Sequence, residues 1–333
     1  MGLQEVSTME KLYAGLDIHS DILYGTVLTQ DGTVYAEKKF PNRKKALQTF
    51  FNGISSAQVK IAMEACGLWR GVYTQLTALG YDVVLSNPVQ THAIARGKKT
   101  DKVDARILAD LLRTGYLPEV YIPPDDVLQL RDIARHRVRL VRLRTQIQCK
   151  VKGYLHRSGI SFPQGWKKEN LEFFKETDPQ IADFISIIET TTERIRRVEK
   201  EIKSIAHHKS LALLLQTVPG IAAFSSIMIL GEIGTIKRFP DPKHLVSYAG
   251  LCPGICQSSQ KSYPVPKKAC NTWLKWIMYM CSGRAAQINK RYMKHFYKKQ
   301  RKCGYPIARR STARKMLTDV WHMLDREEAY NPS

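Results

Sequence analysis

Acidic residues are scarce in this chain. Its 333 residues hold 30 Asp and Glu against 52 Lys and Arg, a formal net charge of +22. The basic residues run along the whole length, which excludes a neutral domain with a basic tail and matches the electrostatic footprint of a nucleic-acid binder. Long apolar runs are also missing. No stretch approaches the roughly 20 residues needed to cross a bilayer, and no signal peptide precedes the first expected strand, so no membrane partner is expected. Cysteine is sparse and scattered: Cys66, Cys149, Cys252, Cys256, Cys270, Cys281 and Cys303. An odd count without a signal peptide points to reduced thiols in a cytoplasm. Cys252 and Cys256 have half the spacing of a zinc site, and no second pair completes it. The hydrophobic fraction of 44% is that of a globular protein, and the length suggests about two domains with sizeable cores.

Where acids are scarce, the places that concentrate them carry information. Residues 98–113 read KKTDKVDARILADLLR. On a helix, Val103, Ile107, Leu108, Leu111 and Leu112 gather on one face, and Lys102, Arg106, Asp110 and Arg113 on the other. Thr100 stands at the N-cap position, and a first-turn acid such as Asp101 complements the helix dipole. Asp104 has no such explanation. It falls in the middle of the apolar face, where a carboxylate is costly unless it is paired, hydrogen-bonded or bound to a cation.

The rest of the first third reads as mixed α/β. LYAGLDI (12–18) is a strand ending on an acid, and ILYGTVLTQ and TVYAEKKF flank a Gln30-Asp31-Gly32 turn as a hairpin. A helix over about 43–52 follows, then the strand VKIAMEA containing Glu64, a helix stopping at Gly80, and the buried strand YDVVLSNP closed by Pro88. This order predicts a mixed α/β domain. In a ribonuclease-H-like sheet the first and fourth strands are neighbours and the last helix, 98–113, packs across their ends. Asp17, Glu64, Asp101 and Asp104 then converge. Like charges that close do not all stay ionised without cations, and Mg²⁺ suits a set of oxygen ligands. Taken singly, Asp17 also reads as a strand-end turn acid and Glu64 as a helix N-terminal acid.

Pro118, Pro123 and Pro124 mark a break, giving a first domain over 1–122. A long helix over 125–157 follows, with Arg131, Arg135, Arg139 and Arg142 among its basic residues. A solvated basic face would account for them, but with the total charge of the chain phosphate contact is the better reading. Residues 181–205 carry apolar residues in alternating steps of 3 and 4, the pattern of a coiled coil that pairs either with the 125–157 helix or with another chain. These helices form a second segment, 123–210. The last segment, 211–333, is mainly helical. Its Val218-Pro219-Gly220-Ile221 turn resembles a helix-hairpin-helix, which would direct backbone amides near Gly220 at a phosphate. The loop ICQSSQKSYPVPKKACN contains Lys267 and Lys268, and the basic stretch 290–315 contains Arg309 and Arg310; all four are candidate nucleic-acid contacts.

GLDIHSD, MEACGLW and KKTDKVDARILADLLR, followed by TVPGI, LVSYAGLCP and ARKMLTDVWHML, resemble the DEDD insertion-sequence transposases related to the pilin-gene invertases, a family of bridge-RNA-guided serine recombinases. The resemblance runs from about residue 12 to about 325. It implies that Asp17, Glu64, Asp101 and Asp104 are the Mg²⁺ ligands of a RuvC-like domain. It also implies a nucleophilic serine in the C-terminal domain, just after the A-G-L-x-P segment. Here that segment is Ala249-Gly250-Leu251-Cys252-Pro253, and Ser258 stands at matching spacing. Ser259 follows where the family has Gly, and Lys267-Lys268-Ala269-Cys270-Asn271 departs from the family's S-K-x-G-N. The implied activity is DNA recombination through a phosphoserine intermediate. The implied partners are target and donor DNA, a structured guide RNA and a second copy of the chain in a dimer or tetramer. The implied setting is a prokaryotic cytoplasm at the nucleoid. A metal-dependent nuclease using water, and an inactive nucleic-acid-binding relative, are the competing readings.

Overall fold

The computed structural model describes residues 11–94, 100–162, 165–166, 168–252, 254–258, 261–265 and 270–331, with backbone alone for 168, 177, 254–258 and 261–265. The chain divides into two compact units, Met1–Ile122 and Pro123–Ser333.

The first unit runs β1 (Leu12–Ile18), β2 (Ile22–Leu28), β3 (Val34–Pro41), α1 (Lys44–Phe50), β4 (Val59–Glu64), α2 (Trp69–Ala78), β5 (Asp82–Ser86), α3 (Pro88–Ile94), α4 (Asp101–Arg113) and β6 (Glu119–Val120). The strands form one six-stranded sheet in the order β3-β2-β1-β4-β5-β6. β1 pairs antiparallel with β2 and parallel with β4, so the first and fourth strands are neighbours, as in a RuvC-like sheet. Alternation along β1 separates the two faces. Leu12, Ala14, Leu16 and Ile18 pack with Leu47 of α1 and Val72 and Leu76 of α2. Tyr13 lies on the opposite face, with Ala62 of β4 and Leu108 and Leu112 of α4.

α4 begins as its sequence requires: the Thr100 hydroxyl accepts the Val103 amide at 3.3 Å. Its most deeply buried residues are Ala105, Leu108, Ala109 and Leu112, while Val103, Ile107 and Leu111 are only partly covered. The buried stripe is therefore rotated from the one the large aliphatics suggest. Gly15 is the cause. A methyl group there would overlap the Ala105 carbonyl oxygen and lie 2.6 Å from the Ala109 nitrogen. The helix backbone rests on the strand where both carry little or no side chain.

The second unit contains α5 (Asp125–Arg157), α6 (Lys168–Thr177), α7 (Pro179–His208), α8 (Ser210–Gln216), α9 (Ala223–Ile233), α10 (Pro242–Tyr248), β7 (Gly254–Ser258), β8 (Lys261–Val265), α11 (Thr272–Ile288), α12 (Lys290–Cys303) and α13 (Tyr305–Arg326). α5 and α7 run antiparallel. Arg137 pairs with Glu199 at one end, and Tyr154 donates to Asp178 at the other. The alternating 3 and 4 steps of α7 are thus met within the chain, with Ile181, Ile188, Thr191, Ile195, Val198 and Ile202 all buried. The pair serves two cores. Ile147, Val151 and Leu155 of α5 pack with Phe174 of α6 and Ile181 and Ile185 of α7. Leu130 and Ala134 of α5, with Val198 and Ile202 of α7, join a larger core built on α9. α9 is buried all round from Ser225 through Ile233, mostly apolar but carrying Glu232. No helix among the described residues is long and apolar enough to cross a membrane.

Candidate metal centre and serine ribbon

β1 and β4 are parallel and end side by side, Leu16 opposite Met63. Asp17 and Glu64 each follow that pair by one residue. Both therefore point to the face where Gly15 and Ala62 receive α4. α4 starts at this end of the sheet, and its first turn carries Asp101 and Asp104.

The Asp17 and Asp101 carboxylates and the His19 ring offer ligand atoms all within 4.8 Å of one another. His19 Nε2 lies 3.2 Å from Asp17 Oδ2 and 3.5 Å from Asp101 Oδ1. Burial raises the Asp17 carboxyl above its usual pKa, the neighbouring His19 opposes the rise, and the negative charges of Asp101 and Asp104 add to it. A divalent cation would reverse that penalty, because it attracts every carboxylate in the group. Glu64 lies outside the tight group, its carboxylate 3.9 Å from His92 Nε2. The residues fit a metal: hard oxygen donors on a half-buried face, where burial and the neighbouring carboxylates raise the Asp17 carboxyl.

His19 was not expected from the sequence. The available signal was its position two residues beyond Asp17, which returns a side chain to the same face of an extended segment.

In the second unit, β7 and β8 form an antiparallel two-stranded ribbon. The register runs from Gly254 opposite Val265 to Ser258 opposite Lys261, so Ser258 occupies the distal end of β7. Ser259, Lys267 and Lys268 lie outside the described residues.

Two family models match the chain in tandem. One, described as a transposase of the DEDD IS110 kind, covers residues 14–159, and the other, described as a transposase of the IS116/IS110/IS902 family, covers 212–298. The chain belongs to the IS110/IS116 family of transposases. The first match spans all four carboxylates, and the second spans the serine ribbon.

Relatives that match over most of their length agree. The transposase for insertion sequence element IS1111A from Coxiella burnetii is 23% identical over 95% of this chain and 90% of its own. A probable family 20 transposase from Pseudomonas aeruginosa is 22% identical over 82% of this chain and 86% of its own. The pilin gene-inverting protein of Moraxella lacunata is 26% identical over 75% of this chain and 74% of its own. As a DNA transposase or recombinase of this family, the protein acts on DNA.

The basic residues of this transposase divide into two groups. Arg131 and Arg135 were expected to meet phosphates, but they turn inward to Glu232 of α9, a carboxylate with no solvent exposure. Arg135 grips it with both prongs, Nε to Oε1 at 2.7 Å and Nη2 to Oε2 at 2.8 Å. Arg131 Nε donates to the Gly231 carbonyl at 2.9 Å and lies 3.8 Å from Glu232 Oε2. A buried carboxylate needs such partners, and that need outweighs the attraction of a solvent-side phosphate. Arg309 is also engaged, donating to the Tyr279 carbonyl at 3.0 Å with its guanidinium 4.2 Å from the Tyr279 ring.

Gly220 packs closely against α11. Its φ is +92°, and a Cβ there would lie 2.8 Å from the Cys281 carbonyl and the Ala285 nitrogen of α11. Arg139, Arg142 and Arg310 remain exposed, with Arg142 lying 4.9 Å from the Trp273 ring. α12 adds a solvent face carrying Lys294, Lys298, Lys299, Arg301 and Lys302, with Tyr297 among them.

Proposed function

We propose that this transposase breaks and rejoins DNA with Ser258 as nucleophile and with Mg²⁺ held by Asp17, Asp101 and Asp104, with Glu64 completing the set. The observation that carries the metal reading is the convergence of Asp17, His19 and Asp101 at the end of β1, with Asp104 close enough for its charge to act on Asp17. There, crowding and burial already disfavour the ionised Asp17. When bound, the metal supplies charge neutralisation at the phosphate. The family likeness and the position at the distal end of β7 support Ser258.

In the proposed step the Ser258 hydroxyl oxygen bonds to phosphorus and loses its proton. The phosphorus–oxygen bond to one deoxyribose breaks, and the released sugar oxygen takes up a proton. The resulting phosphoserine diester keeps the energy of the phosphodiester, so a sugar hydroxyl of another strand reseals it by the reverse attack. His19, beside Asp17 and Asp101, helps to hold those carboxylates in place. The exposed Arg139, Arg142 and Arg310 and the α12 lysines grip phosphate backbones. A structured guide RNA addresses the target, a homo-oligomer carries out the exchange, and the setting is a prokaryotic nucleoid. The carboxylate group by itself favours a second reading, in which a metal-activated water is the nucleophile.

A covalent-adduct assay separates the two. The protein purified with its RNA is mixed with target and donor DNA and Mg²⁺, then denatured. DNA retained by the wild type and by Ser259→Ala, but lost in Ser258→Ala and Asp104→Ala, supports the serine mechanism. Cleaved DNA without adduct supports water. Intact bound DNA, with the RNA verified as present, would falsify both.

A further inference from the structure

The described residues that flank the serine ribbon come together in a small base. Tyr248, the last residue of α10, stands just before the ribbon's entry, and Asn271, the N-cap of α11, just after its exit. These residues are clamped to each other and to the buried ion cluster. The Asn271 amide N–H donates to the Tyr248 carbonyl at 2.8 Å. The Asn271 side-chain Nδ2 donates to the Tyr248 hydroxyl at 2.9 Å and to Glu232 Oε2 at 2.8 Å. Its Oδ1 accepts the Leu274 amide at 2.9 Å. The amide orientation is forced, since a carboxylate only accepts and a backbone N–H only donates. The Tyr248 hydroxyl lies 3.4 Å from the Glu232 carbonyl, and the Arg238 guanidinium lies 4.4 Å from the ring. Between the two ends, Gly250 at φ +63° sits so close to Cys270 that a Cβ there would lie 2.6 Å from its Sγ.

We infer that Glu232, Tyr248 and Asn271 form a latch that positions the serine ribbon for strand cleavage; this rests on the reading of Ser258 as nucleophile. The argument is one of leverage. An isolated two-stranded ribbon is only marginally ordered. Ser258 lies four residues beyond Gly254, or about 14 Å at strand rise. A tilt of about 4° at the base moves the far end by about 1 Å, and an error of that size costs about 100-fold in a reaction that depends on alignment. Orientation must therefore be set at the base, and a dry carboxylate held by two arginines is a rigid anchor for it. Glu232, Tyr248 and Asn271 are positioning residues, acting through the ribbon.

Asn271→Ser tests this without removing the helix cap, because serine also accepts the Leu274 amide; it deletes the donors to Glu232 and Tyr248. Tyr248→Phe deletes one hydroxyl. In the full-length protein, amide exchange across 254–265 should quicken at least about tenfold in both variants while α9 and α11 change less than about twofold. The rate of adduct formation should fall about tenfold at unchanged DNA affinity. Ribbon exchange equal to wild type, or already at free-chain rates in the wild type, overturns the latch, as does quickening spread equally through α9 and α11. Absence of a Ser258 adduct in the wild type overturns the nucleophile assignment instead, and the exchange measurement still decides the latch.

Discussion

Gly15 of β1 and the Ala105 carbonyl of α4 are in contact with no room for a methyl group between them. That contact sets the height of α4 above the sheet and brings its first turn beside Asp17. The carboxylate group depends on a residue that carries no chemistry.

Gly15→Ala should therefore damage both stability and metal binding. Overpacking a close contact costs about 1–3 kcal/mol, and here the obstruction is backbone, which yields less than a side chain. The expected result is a lower denaturant midpoint with a weakened Mg²⁺ response. An unchanged midpoint with normal metal binding would contradict the contact.

Removing divalent metal should abolish strand cleavage, and adding Mg²⁺ back should restore it. His19→Ala should weaken metal affinity by roughly 10–100-fold, the usual cost of losing a group that orients the ligands. Titration calorimetry with Mg²⁺ or Mn²⁺ measures this without DNA. Equal affinity in wild type and variant would remove His19 from the site.

Glu232 and its arginines make a sharper stability test. Glu232→Ala leaves the partly buried Arg131 and Arg135 without their counter-charge; breaking one side of a fully buried pair costs about 3–5 kcal/mol, and the partial exposure of the arginines puts the expected loss at or below about 3 kcal/mol. Replacing Glu232, Arg131 and Arg135 together by apolar residues of similar volume should recover much of that loss. Urea unfolding of the single and triple variants decides it; equal losses would mean that charge balance is not the issue.

Salt dependence distinguishes exposed from inward-facing arginines. Each phosphate contact contributes about one unit to the slope of log affinity against log salt. Arg310→Ala and Lys298→Ala should each lower the slope by about one. Arg309→Ala should leave it unchanged, because Arg309 is tied to Tyr279. A flat salt response in the wild type would show that phosphate contacts do not dominate binding.

The sheet was readable from local pattern. β1 alternates, the Gln30-Asp31-Gly32 turn closes the hairpin, and Pro88 stops β5 at Ser86, because these signals act over a few residues. α3 was missed: it begins on Pro88 itself, the residue taken as a strand terminator, and a proline at the first helical position starts a helix equally well. The α7 repeat was legible as a coiled coil, but its partner was not. An apolar stripe states that something covers it, and only the antiparallel course of α5 supplies that something from the same chain.

By itself, the sequence determined the sign of the charge, the order of the main strands and helices, and the four acids on segments that a mixed sheet brings to one end. Those properties follow from composition and short-range periodicity. Tertiary structure decided which charges are spoken for. Arg131 and Arg142 look alike in a list of basic residues. One is committed to Glu232, 101 positions away, and the other faces solvent beside Trp273. Burial makes the difference, since a dry carboxylate must be paired, and burial is a property of the packed chain rather than of any stretch of it.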